Sequence, residues 1–125
     1  MMERPMKYLC LIYIEEKLLE AMPPEQYNGV VKQCLEYEKE VAQSGGLLAV
    51  EALEPINTAT TVRVQSGKTT VTDGPFAETK EQLAGFFLIE AHDLKGAIKV
   101  AEGMPQARIG SIEIRPIKDL SRHLK

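Results

Sequence analysis

The order of apolar and polar runs predicts an α+β domain built as two β-α-β units with a β-hairpin between them. Three observations carry this reading. The nearly continuous apolar runs "YLCLIYI" and "GFFLIEA" read as buried strands, and the segment after Pro23-Pro24 repeats its apolar residues at helical spacing. The Thr- and Val-rich stretches on either side of Ser66-Gly67-Lys68 alternate as the arms of a hairpin do. A chain of 125 residues, 44% apolar and 26% charged, has room for one core, so a single domain over 1–125 is expected.

"MKYLCLIYI" (6–14) is rich in branched and aromatic residues, as a central strand covered on both faces would be. After "EEKLLEAM", Pro24 suits a first helical turn, because its missing N–H would have had no intrahelical partner. In the helix that follows, Tyr27, Val30, Val31, Cys34, Leu35, Val41 and Ala42 fall near one stripe, opposite Asn28, Lys32, Glu36, Lys39, Glu40 and Gln43. Gly45-Gly46 permits the positive φ that commonly ends a helix, and "LLAVEAL" (47–53) resumes in extended form. In the hairpin, Val62 and Val64 share one face, with Thr61, Arg63 and Gln65 on the other. "GFFLIEA" (85–91) is the next strand. Asp93 can cap the helix "LKGAIKVAEG", and "SIEIRPI" closes the chain as a strand that separates Ile112 and Ile114 from Glu113 and Arg115.

This order is that of a ferredoxin-like plait with an inserted hairpin. Two helices cover one face of such a sheet. An all-apolar first strand also asks for a cover on the second face, most simply the same surface of a second copy, so a homodimer with facing sheets is expected.

Several function classes find no support. The net charge of −3 comes without a Lys/Arg cluster, so direct nucleic-acid binding is not expected. Arg4 and Lys7 precede an apolar run, but the run stops at Glu15-Glu16 without a small-residue cleavage site, and no stretch approaches membrane-spanning length. A cytoplasmic protein without membrane attachment is expected. Cys10 and Cys34 fit neither a zinc site nor a disulfide framework and read as small buried hydrophobes. Phosphate-cradling, dinucleotide-binding and metalloprotease motifs are missing, so neither cofactor nor metal is expected.

"TVTDGPFAETKEQLAGFFLIEA" (70–91) carries the remaining signal. Asp73-Gly74-Pro75 is a turn in which Asp73 can accept from nearby backbone N–H groups, and Phe76 can pin the turn to the core. Thr79 and Gln82 have capping-box spacing, which predicts a single helical turn over 80–83. Structure alone explains much of this segment. It explains less well why Asp73, Glu78, Lys80 and Glu81 gather beside Phe86-Phe87, since a carboxylate near a lysine and an apolar wall can be tuned toward neutral pH.

That stretch, with "MKYLCLIYI", "ATTVRV" and "IEIRPI" in the same order, closely resembles the YCII-related proteins of the Asp-Gly-Pro-Phe motif type. The resemblance implies a ferredoxin-like dimeric α/β barrel with a cleft near the dimer interface and a function not yet established. Members of this type also occur beside or fused to sigma-factor-like regulators, which implies a regulatory protein partner as one reading. Onto the motif positions it carries Asp73, Gly74, Pro75, Phe76, Glu78, Thr79, Lys80, Gln82 and Gly85, with Tyr13 and Arg115 from flanking strands. The His and Asp proposed as a catalytic pair in a shorter branch have no counterpart here. The only histidines are His92, beside the capping Asp93, and His123 in the tail. Ala84 and Phe87 stand where relatives often have Gly and Tyr, and the latter change removes a hydroxyl.

Two functions follow as expectations. In the first, a small-molecule enzyme uses Asp73 or Glu78 as proton acceptor, with Lys80 or Arg115 holding an anionic group and Tyr13, Phe76 and Phe87 lining the ligand site. In the second, the same dimer binds a metabolite or a transcription-linked partner without turnover. The plait itself hosts many functions and favours neither.

Overall fold

The structure, a computed structural model, describes residues 6–124. Strand β1 (Met6–Ile14) leads into the short helix α1 (Glu16–Ala21) and then the long helix α2 (Pro24–Gln43). Strands β2 (Leu47–Ala52), β3 (Thr60–Gln65), β4 (Lys68–Asp73) and β5 (Gln82–Ala91) follow. Helix α3 (Leu94–Glu102) and strand β6 (Ser111–Pro116) complete the main elements. Four strands form one antiparallel sheet in the order β2-β5-β1-β6, an α+β arrangement consistent with a ferredoxin-like plait, while β3 and β4 pair only with each other.

Side-chain alternation along β1 sorts the two faces of the sheet. Tyr8, Cys10, Ile12 and Ile14 are buried with Phe87 and Ile89 of β5, Val41 of α2 and Ala97 of α3, and this is the core. Leu9, Leu11 and Tyr13 point to the other face with Phe86 and Leu88, and all five are only half-buried. Along the described residues no helix is long and apolar enough to cross a membrane.

Local chemistry accounts for the boundaries. The Asp93 carboxylate accepts from the Gly96 N–H at 2.9 Å, which caps α3 as its sequence position suggests. Ser66 and Gly67 both take positive φ, +50° and +75°, so the β3-β4 connection is a two-residue turn of the type that matches strand twist. Both faces of this hairpin are wet, with Val62, Val64 and Val71 each at least 60% exposed.

Three local expectations change. The "EKLLEA" run is helical, ending where Pro23 restricts the preceding residue, so the chain has a helix more than the two expected. The helical turn expected over 80–83 does not form. Instead the Thr79 hydroxyl donates to the Glu81 carbonyl, and residues from Gln82 onward join β5 opposite Ile14 and Tyr13. Phe76 does not pin its turn, being 79% exposed.

Candidate functional site

The Asp-Gly-Pro-Phe segment leaves β4 and crosses to β5, and its geometry begins at Gly74. There φ is +102°, a conformation that L side chains rarely adopt. The Gly74 N–H donates to the Ala59 carbonyl at 2.7 Å, and its own carbonyl accepts from the Thr61 hydroxyl at 2.8 Å. The turn is thus tied to the start of β3. The Asp73 carboxylate takes no hydrogen bond from the described residues, so backbone contacts hold the corner rather than the expected Asp side chain.

The other end of the segment is held by a relay of side chains. Gln82 Nε2 donates to the Thr79 and Lys80 carbonyls, while Gln82 Oε1 accepts from the Glu16 N–H at 2.8 Å. That N–H lies at the start of α1 and has no partner within the helix. Glu16 in turn accepts from the Ile56 N–H at 2.9 Å, and Ser111 of β6 donates to the Glu81 carboxylate at 2.7 Å. One glutamine and one glutamate therefore join the motif, α1 and the loop after β2.

Between these anchors lies a cleft of about 500 Å³, with Tyr13, Pro75, Phe76, Thr79 and Leu83 among its walls and the 53–61 segment opposite. A second hollow of about 410 Å³ adjoins it, sharing Ile56, Pro75 and Thr79 and adding Asp73 and Glu78. A bulge in the β1-β5 pairing explains why Tyr13 and Leu83 meet here. Ile12 pairs with Gly85 but Tyr13 with Leu83, so Ala84 is the extra residue and the strand end is re-aimed.

The candidate residues are distributed unequally. Tyr13 and Phe76 face one cleft, and Asp73 and Glu78 face its neighbour. Lys80 lies on the following bend and lines neither; Arg115 lies on β6, paired with Leu9. Phe87 is 2% exposed on the helix-covered side of the sheet, its ring centroid 6.5 Å from that of Tyr37. Asp73, Glu78 and Lys80 are all exposed, so water reaches each of them. Gln82 and Glu16, which brace the cleft, carry no spacing signal that would pair them across 66 residues.

The arrangement is equipped to bind. An aromatic and apolar wall with a few hydroxyl and amide groups is the usual composition of a small-molecule site, and two exposed carboxylates next door, without an ion pair among the described residues, supply acceptors for a donor-rich or cationic group. Among the described residues no group of three or more His, Cys, Asp or Glu is placed to hold a metal ion. His92 and His123 are exposed and line neither hollow, and burial pushes the Cys10 thiol up to about 11, away from nucleophilic use.

Comparison with known proteins places the chain in a family. An uncharacterized protein of Rhizobium meliloti (strain 1021) is 38% identical over 114 residues, covering 90% of this chain and 92% of the relative. The model of the YCII-related domain matches residues 6–121, nearly the whole chain, and the protein therefore belongs to the YCII-related domain family.

Proposed function

We propose that this is a dimeric small-molecule-binding protein whose ligand occupies the cleft beside the Asp-Gly-Pro-Phe segment. The observation that carries the reading is the meeting of Tyr13 and the 79%-exposed Phe76 in one hollow of about 500 Å³, with the Asp73 and Glu78 carboxylates in the adjoining one. An exposed phenylalanine on a cleft rim is costly in water and becomes favourable when a ligand covers it. The matching ligand has an apolar ring or chain against Tyr13 and Phe76 and a hydrogen-bond donor or cationic end toward the carboxylates.

Binding without turnover suits the open, water-filled setting of Asp73, Glu78 and Lys80, because an acid or base tuned for catalysis is normally desolvated. The catalytic form of the proposal needs the ligand or a second protomer to exclude water from these groups. The dimer places the half-buried face of Leu9, Leu11, Phe86 and Leu88 against its own copy, as in a dimeric α/β barrel. A regulatory protein partner is the alternative occupant of the cleft.

The test is a thermal-shift screen of metabolites against the wild type, Phe76→Ala and Asp73→Asn. A ligand present at one hundred times its Kd adds about 2.7 kcal/mol, a rise on the order of 10 °C for a domain of this size. Hits are expected to lose most of that shift in Phe76→Ala, and donor-rich hits to weaken in Asp73→Asn. Equal shifts in all three proteins would remove the ligand from this cleft, and an absence of hits from a folded protein would favour the protein partner.

A further inference from the structure

The long helix is buried most firmly toward its C-terminal end, while Val30 and Cys34 are half-buried. Of the twenty residues of α2, Val41 alone is buried, and the Tyr37 hydroxyl donates to the Val100 carbonyl at 2.6 Å. Both contacts lie in the C-terminal half. N-terminal to Tyr37, Tyr27, Val31 and Leu35 stay 39–51% exposed, and a cavity of about 250 Å³ opens between this stretch and the sheet. Its lining reaches Ile12 and Phe87, 4% and 2% exposed, so the cavity extends to the floor of the core. It shares only Leu53 with the Asp-Gly-Pro-Phe cleft.

One residue of this lining carries an orphaned polar atom. Among the described residues Gln106 Oε1 is buried without a hydrogen bond, in a side chain carried by the 3-10 turn Pro105–Arg108. An unsatisfied buried amide oxygen is costly, and a bound donor removes that cost. The oxygen and nitrogen of a glutamine amide can exchange places by a flip, and a hydroxyl satisfies either orientation because it both donates and accepts. Glu38 also lines the cavity, and its negative charge opposes an anion. The volume suits a small ring system and is far too small for a helix or strand of a partner.

We infer that the space beneath the middle of α2, between Tyr27 and Glu38, is a second binding site, for a small uncharged apolar molecule bearing a single hydroxyl, with Gln106 as its polar anchor. This site differs from the motif cleft in chemistry as well as place. Its walls are mainly apolar with the Phe87 ring at the floor, its one buried polar group is an amide, and α2 can settle onto an occupant without disturbing the Tyr37 and Val41 attachments.

Isothermal titration with thymol, its hydroxyl-free analogue p-cymene and its anionic analogue cuminate tests the inference. Thymol is expected to bind roughly five- to tenfold tighter than p-cymene, the worth of one net hydrogen bond, and cuminate not to bind measurably. Val31→Trp fills the cavity and should abolish thymol binding. Gln106→Leu should equalise thymol and p-cymene, and Phe76→Ala, in the other cleft, should leave thymol binding unchanged. If Val31→Trp fails to fold, the Gln106→Leu comparison decides. The inference is overturned if folded wild type does not bind thymol at its solubility limit, if thymol and p-cymene bind the wild type equally, if a folded Val31→Trp binds thymol normally, if Gln106→Leu keeps the preference, or if Phe76→Ala abolishes binding.

Discussion

At Gly74 the backbone sits at φ +102° with Pro75 next in the chain, and a Cβ built there would meet nothing within 4 Å. An alanine at this position would therefore suffer from backbone strain alone, without steric collision. Gly74→Ala is expected to lose about 1–3 kcal/mol in urea unfolding, the usual cost of holding a non-glycine residue in such a region. Gly29, inside α2, is likewise free of contacts but lacks the positive φ, so Gly29→Ala should gain about 0.5–1 kcal/mol from helix propensity. The same substitution at two uncrowded glycines thus gives opposite signs. Equal effects would mean that the corner is not held in its observed conformation. The sequence makes the turn legible because Asp-Gly-Pro is local chemistry. It does not say which ring of Phe86-Phe87 faces a cleft, since neighbours on a strand point to opposite faces and either assignment satisfies the pattern. Phe87 went to the core with Cys10 and Ile89, while Phe86 went to the open face.

Among the elements, α3 shows how far local signals reach. Its cap at Asp93 is written in the sequence, and its buried Ala97 and Ala101 let it lie close to the sheet. Asp93→Ala should cost about 1 kcal/mol in thermal or urea unfolding and speed amide exchange at Gly96, whose N–H loses its acceptor. Unchanged exchange at Gly96 would show that the carboxylate is not the cap. The start of β5 shows where local signals stop. Thr79 and Gln82 have capping-box spacing, yet Gln82 spends its side chain on Glu16 and on the Thr79 and Lys80 carbonyls, and β1 recruits its backbone into the ladder. A tertiary partner overrode the propensity. Neither the Ala84 bulge nor the Gln82-Glu16-Ile56 relay has a counterpart in periodicity, because both depend on which strand lies alongside.

On the scale of the whole molecule, the sheet has a covered face and an open one. The open face is apolar along its middle, where Leu9 pairs with Leu88 and Leu11 with Phe86, and it is flanked on β6 by Arg115 beside Leu9 and Glu113 beside Leu11. An apolar stripe with a base and an acid on its β6 border, and Glu51 beside Phe86 on its β2 border, suits a twofold axis, since rotation brings the stripe onto itself and can set arginine against glutamate. In the proposed dimer, a lysine at position 11 would meet the apolar stripe of the partner and desolvate without a matching charge. Such burial costs several kcal/mol, while the isolated domain tolerates the change because Leu11 is only half-buried there. Leu11→Lys is accordingly expected to keep its circular dichroism spectrum and cooperative unfolding, yet to elute as a monomer by gel filtration with light scattering where the wild type elutes as a dimer. A wild type monomeric at micromolar concentration would end the facing-sheet proposal. A Leu11→Lys protein that stays dimeric would move the interface elsewhere, with the exposed valines of the β3-β4 hairpin as the next surface to substitute.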